Sequence, residues 1–133
     1  MQLVPIGVVR STLRTRSEAP RQGSEGAPDA SIVLEPSFAD ALQGVGVGDE
    51  LVVLTWLHEA QRDVLQVHPR DDVSRPLTGV FATRSSDRPN PLGLHRVTVR
   101  GIDGFELQVG PLEAIDGTPV VDIKPVLRRE AAE

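Results

Sequence analysis

The sequence predicts an all-β fold, a small closed antiparallel β-barrel with long functional loops and at most short helices. Short apolar segments rich in Val, Ile and Leu recur along the chain: Leu3 to Val9, Ser31 to Leu34, Leu51 to Leu57, Val64 to His68, Val80 to Thr83, Val97 to Ile102, Phe105 to Val109 and Val120 to Ile123. Most are bounded by Gly, Pro or Asp, and short strands at this spacing fit a barrel that leaves no long free edge. Asp103-Gly104 lies between two of these runs and predicts a hairpin with a type I′ turn, which needs positive φ at both central residues. One short helix is expected, Ser37 to Leu42, with Ser37 as N-cap and Asp40 completing an imitation of a capping box.

The length of 133 residues predicts one domain, 1–133, able to bury a core without disulfides or metal. Cysteine is absent, which excludes a thiolate nucleophile, a disulfide framework and a zinc–cysteine site. No apolar run approaches the ~20 residues that cross a bilayer, and no basic region precedes an apolar leader, so a cytoplasmic protein without membrane contact is expected. The net charge of −5 argues against a protein held to nucleic acid by bulk charge, so any RNA contact is expected to be local. Gly44-Val45-Gly46-Val47-Gly48 has alternating glycines but lacks the following helix and third glycine of a dinucleotide fingerprint, and reads as a turn into the next strand. Residues 14–30 carry no periodic apolar pattern, and a loop of that length inside a small domain is usually functional or disordered. The tail from Arg128 to Glu133 reads as a fraying charged end.

The stretch richest in chemistry is Gly79-Val80-Phe81-Ala82-Thr83-Arg84-Ser85-Ser86-Asp87-Arg88-Pro89-Asn90-Pro91-Leu92-Gly93. Prolines on either side of Asn90 fix φ and remove backbone donors, so its amide is presented in a nearly constant orientation. Taken alone, the stretch reads first as a well-made turn ending a strand. It closely resembles the signature of the TsaA-like family of S-adenosylmethionine-dependent tRNA methyltransferases. Further segments match in order: Pro5-Ile6-Gly7-Val8-Val9-Arg10-Ser11, Pro20-Arg21-Gln22, and Leu112-Glu113-Ala114-Ile115-Asp116-Gly117-Thr118-Pro119-Val120-Val121-Asp122-Ile123-Lys124-Pro125. Together they cover nearly the whole chain.

The resemblance implies S-adenosyl-L-methionine as methyl donor, held against the barrel by Pro20, Arg21, Gln22, His58, Glu59, Arg84, Leu94, Leu112, Glu113, Ala114 and Ile115. It also implies a homodimer with the donor site near the subunit interface, and tRNA as partner, with threonylcarbamoyladenosine beside the anticodon as acceptor. An arginine fork suits the donor's carboxylate, and Arg84 is preferred to Arg21 for that clamp. Asn90, Asp116 and Asp122 are candidates to orient the acceptor amine and receive its proton, with Lys124 beside Asp122. Asp122 and Lys124 equally form an ordinary surface pair. Arg75, Arg88 and Arg96 are candidates for RNA phosphates, against the reading of plain solvated arginines. His58, His68 and His95 lack metal-ligand spacing, so no metal site is expected. With 3% aromatic residues and no tyrosine there is little surface to stack splayed bases, so a non-catalytic S-adenosylmethionine- or RNA-binding barrel stands as the competing reading.

Overall fold

Alternation of buried and part-exposed residues runs along the strands: within Ala30–Leu34, residues Ala30, Ile32 and Leu34 face inward, and within Glu50–Trp56 the inward row is Leu51, Val53 and Thr55. This period of two is what a sheet with one buried face requires. The computed structural model of the chain describes residues 1–127, and the expected charged tail lies outside the described residues. The strands are β1 Gly7–Arg10, β2 Ala30–Leu34, β3 Glu50–Trp56, β4 Gln66–Val67, β5 Thr78–Gly79, β6 Leu92–Asp103, β7 Glu106–Gly110 and β8 Pro119–Pro125. Six of them close a barrel in the order β1, β2, β7, β6, β3, β8, with β8 pairing back onto β1 and every pair antiparallel. The all-β barrel expected from the spacing is therefore present.

The interior is filled by Val9, Ile32, Leu34, Leu51, Val53, Val97, Val99, Leu107, Val109, Leu112, Ala114 and Val120, all buried. Each fully buried Val, Leu or Ile contributes about 1.5–3 kcal/mol relative to exposure, and this term holds the barrel together. Closure bends the longest strand, β6, where pairing with β7 shifts register between Val99 and Gly101. A second shift, where β3 pairs with β8 between Leu54 and Thr55, leaves Val121 of β8 as the extra residue. An extra residue of this kind bends the strand and re-aims its side chains.

Several expected elements take a different form. The run Val80 to Thr83 is not a strand: β5 ends at Gly79 and Val80–Ala82 makes a 3-10 turn. Val80 is buried while Phe81 and Ala82 are exposed, so the apolar run serves as one anchor followed by a turn. Val64 to His68 contributes only β4, which pairs with β5 in a separate two-stranded sheet. The helix Pro36–Leu42 is 3-10 and begins one residue early, with Glu35 at the N-cap and no side-chain cap, because Pro36 already supplies the first-turn residue that lacks an N–H. The β6–β7 turn is centred on Gly104-Phe105, since Asp103 pairs with Glu106. Of those two central residues only Gly104 has positive φ, 62°, the pattern of a type II′ turn instead of I′. Gly44 and Gly48 have φ of 98° and 94°, which makes the glycine-rich stretch the turn it was expected to be.

Candidate functional site

One end of the barrel changes character where β3 and β6 run out. Their inward rows are aliphatic along Leu51, Val53, Val97 and Val99, then become polar at Thr55 and His95, with Gly93 opposite Thr55 in the register. Thr55 and His95 are 0% and 4% exposed, so their polar atoms need partners inside the protein. They find them in each other and in Glu113: Thr55 Oγ1 lies 2.6 Å from His95 Nε2, and His95 Nδ1 is hydrogen-bonded to Glu113 Oε1. Gly93 makes room for this chain, because a Cβ there would stand 2.6 Å from His95 Nε2 and closer still to Thr55 Oγ1.

Above this floor, three stretches of the chain contribute the walls of a cleft of about 1460 Å³: residues 16–25, residues 57–94 and residues 113–118. Ion pairs fasten the first segment to the second. Arg16 bonds Asp87 Oδ1 at 3.1 Å, Ser86 Oγ at 3.2 Å and the Glu59 carbonyl at 3.2 Å. Arg21 reaches Asp71 Oδ2 at 2.7 Å, and Arg70 reaches Glu25 Oε1 at 2.8 Å. The Arg70 hydrogen bond, with the charges of Arg70 and Arg21, holds the Glu25 carboxyl below its ordinary range. Arg70 and Asp71 both adopt positive φ, 56° and 57°. Non-glycine residues rarely sit there, and here the conformation aims both side chains at the facing loop.

The signature turn is held from within. Arg88 Nη1 donates to the carbonyls of Thr83 and Ser85, both at 3.0 Å. Arg62 lies over the Trp56 ring at 5.0 Å and donates from Nε to the Pro89 carbonyl at 2.8 Å and from Nη2 to Asn90 Oδ1 at 3.1 Å. Asn90 is thereby oriented at the cleft mouth with one acceptor position of its amide oxygen already used. Arg84, exposed on the same turn and lining the cleft, makes no hydrogen bond or ion pair among the described residues. An arginine fork without a protein partner, between segments that are otherwise tied down, is the available clamp for an anion.

Of the residues singled out from sequence, the cleft brings together Pro20, Arg21, Gln22, His58, Glu59, Arg84, Asn90, Leu94, Glu113, Ala114 and Ile115. His58 Nε2 and Glu59 Oε2 are 3.8 Å apart on its wall. Four candidates stand outside the lining. Leu112 is fully buried in the core beneath it. Asp116 is a loop latch, accepting from the Ser11 amide at 3.0 Å and from Arg14 Nη1 at 3.3 Å. Asp122 and Lys124 are exposed on β8 beyond the inward-facing Val120; among the described residues Asp122 Oδ1 accepts only the neighbouring Ile123 amide, at 2.9 Å, and neither side chain lines the cleft or pairs with the other. Of the arginines considered for phosphate, Arg75 lines the cleft, Arg88 is spent on the turn, and Arg96 pairs with Glu50 at 2.7 Å on the barrel wall. Sequence reasoning missed Thr55, Arg16, Arg62 and the clasp residues Arg70 and Asp71, and it considered His95 only as a metal ligand. A polar pair at the end of two inward-facing rows was the one available signal for Thr55 and His95.

The chain matches the family described as tRNA-methyltransferase O N-terminal domain over residues 8–130. It is 45% identical over 125 residues to a probable S-adenosyl-L-methionine-binding protein of Methanothermobacter thermautotrophicus, covering 94% of this chain and 89% of that one. It is 34% identical over 135 residues to the tRNA (adenine(37)-N6)-methyltransferase of Escherichia coli, covering 95% of this chain and 57% of the longer protein. The crystal structure of TrmO from P. aeruginosa superposes with a TM-score of 0.77 at 31% identity, over 99% of this chain and 57% of that one. The chain thus spans little more than half the length of the last two. On the match of residues 8–130 and these relatives, the chain belongs to the tRNA-methyltransferase O N-terminal domain family.

Proposed function

We propose that this protein is an S-adenosylmethionine-dependent N-methyltransferase that acts on threonylcarbamoyladenosine beside the anticodon of tRNA. The observation that carries the proposal is convergence: Pro20 to Gln22, His58-Glu59, Arg84, Leu94 and Glu113 to Ile115 are distant in sequence, and all line one cleft. Arg84 clamps the donor's carboxylate, and the loop of Pro20 to Gln22 faces the strand-end residues across the bound donor. In the reaction the acceptor nitrogen attacks the donor's methyl carbon, the C–N bond forms as the C–S bond breaks, and the electron pair goes to sulfur. The nitrogen then loses its proton to solvent water. Aligning nitrogen and methyl supplies about 7–11 kcal/mol of the barrier reduction, so the protein's task is mainly to aim. Asn90, oriented by Arg62 at the mouth, accepts a hydrogen bond from the acceptor amine through its remaining lone pair.

The same reading takes residues 1–133 as one domain, the protein as cytoplasmic, and the working unit as a homodimer. Leu65, Val73, Leu77 and Phe81 are 68%, 81%, 53% and 84% exposed on the excursion between β3 and β6, and a second copy covering them would wall the cleft, because Phe81 also lines it. Calorimetric titration with S-adenosylmethionine, followed by transfer of a labelled methyl group to tRNA carrying threonylcarbamoyladenosine, tests the proposal. Saturable donor binding with methyl transfer to the base supports it. Binding without transfer favours the competing reading of a binding module, which the name of the archaeal relative also suits. No donor binding removes the methyltransferase reading altogether.

A further inference from the structure

The chain of Thr55, His95 and Glu113 is a buried polar network that methyl transfer itself does not require. A carboxylate can only accept, so His95 Nδ1–H donates to Glu113 Oε1. A neutral ring then has a lone pair at Nε2, and Thr55 Oγ–H donates to it across 2.6 Å. With the ring neutral, the donors run in one order, from the barrel wall outward to the carboxylate. Among the described residues no buried side-chain oxygen or nitrogen lacks a hydrogen-bond partner, and Glu113 is bonded through Oε1 alone. Its Oε2 therefore lacks a protein partner without being sealed from solvent, on a residue that lines the cleft, and it lies beside Gly23, where an added Cβ would stand 3.1 Å from it. That places the free oxygen next to the loop of Pro20 to Gln22.

Resting on the donor assignment proposed above, we infer that Thr55 and His95 are positioning residues: they lock the Glu113 carboxylate so that Oε2 accepts a hydrogen bond from a hydroxyl or amine of the methyl donor's nucleoside half. Thr55 never touches the donor. It fixes the imidazole tautomer, the tautomer fixes the carboxylate, and the carboxylate meets the ligand.

The test uses the whole chain with S-adenosylmethionine as probe, and nitrogen NMR of His95 without ligand. The free parent shows the Nδ1–H tautomer. Thr55→Val weakens donor binding by about tenfold, the low end of the loss when a supporting partner of a liganding group is removed. Thr55→Ser, which keeps the hydroxyl, binds like the parent, and Thr55→Val adds no further loss in a Glu113→Ala background. Donor affinity unchanged in Thr55→Val, with only its melting temperature lowered, overturns the inference and leaves the network as scaffold. So does the opposite tautomer or a doubly protonated ring in the parent, or additive losses in the double variant. A parent that shows the Nδ1–H tautomer yet binds no donor overturns the donor assignment, and the inference falls with it; a parent that binds while Thr55→Val binds equally well overturns the inference alone.

Discussion

Replacing Gly93 by alanine adds one methyl group at the point where barrel and cleft meet, and the geometry sets the size of the effect. The new Cβ would lie 2.6 Å from His95 Nε2, closer to Thr55 Oγ1 and 3.1 Å from Leu57 Cδ2. Thr55 and His95 are buried and bonded to each other, so neither swings into solvent, and the backbone of Gly93 is pinned by its pairing with Thr55. Overpacking of this kind costs about 1–3 kcal/mol. Alanine also narrows the unfolded ensemble, which returns about 0.4–1 kcal/mol. With two contacts this short the upper part of the range applies, and Gly93→Ala is expected to destabilise by ~2 kcal/mol net. For a chain of this length that lowers the melting temperature by roughly 6–10 °C, read by circular dichroism or calorimetry. Gly79→Ala is the control: φ at Gly79 is −61° and an added Cβ meets nothing within 4 Å, so it melts with the parent or slightly above it. Gly93→Ala melting at or above the parent would refute the packing described at the floor of the cleft.

Arg84→Ala is expected to lose at least tenfold in affinity for S-adenosylmethionine, the order of one charge-assisted pair, with an unchanged melting temperature because the side chain has no partner among the described residues. A melt lowered in step with affinity would assign Arg84 to the scaffold. Asp116→Ala is expected to cost about 1 kcal/mol of stability through the lost bonds from Ser11 and Arg14, and Asp122→Ala to stay within ~0.5 kcal/mol, both with parental donor affinity by calorimetry. The Glu25 carboxyl titrates below its ordinary range because of Arg70, so the clasp contributes stability above that range and loses it as pH falls through the lowered value. In a carboxyl NMR titration Arg70→Ala should bring the Glu25 midpoint back up, and an unmoved midpoint would mean the pair does not form in solution.

The barrel was legible because burial in a closed sheet leaves a record of period two. Leu51, Val53, Thr55 and Gly93, His95, Val97, Val99 are alternate residues of two strands, and the glycine and proline boundaries mark where each strand stops. Where local apolar content and strand formation come apart, the reading failed. Val80 to Thr83 has the composition of a strand, but only Val80 is buried, and a run with one inward residue has no sheet face to satisfy. The lining was legible where short motifs carry several contacts at once, as at Pro20 to Gln22 and Glu113 to Ile115. The clasp of Arg21, Asp71, Arg70 and Glu25 was not, because it depends on left-handed backbone at Arg70 and Asp71, and nothing in their side chains announces it.

Charge shows most clearly why site residues cannot be ranked from composition. A net charge of −5 argues against a surface that holds nucleic acid by bulk charge, yet Arg16, Arg21, Arg70, Arg75, Arg84 and Arg88 all line one cleft. Most of that charge is already committed. Arg16, Arg21 and Arg70 are neutralised across the cleft by Asp87, Asp71 and Glu25, Arg75 pairs with Asp72 on its own loop at 3.7 Å, and Arg88 is spent on carbonyls of its own turn. Arg84 is thus the cation through which the cleft offers an unspent fork, while Glu113 offers an unspent acceptor at its floor. A ligand that satisfies both carries an anionic group at one end and a hydrogen-bond donor at the other. S-adenosylmethionine, with its carboxylate and its nucleoside hydroxyls and amine, has that arrangement, and a plain phosphate or an extended nucleic-acid backbone does not.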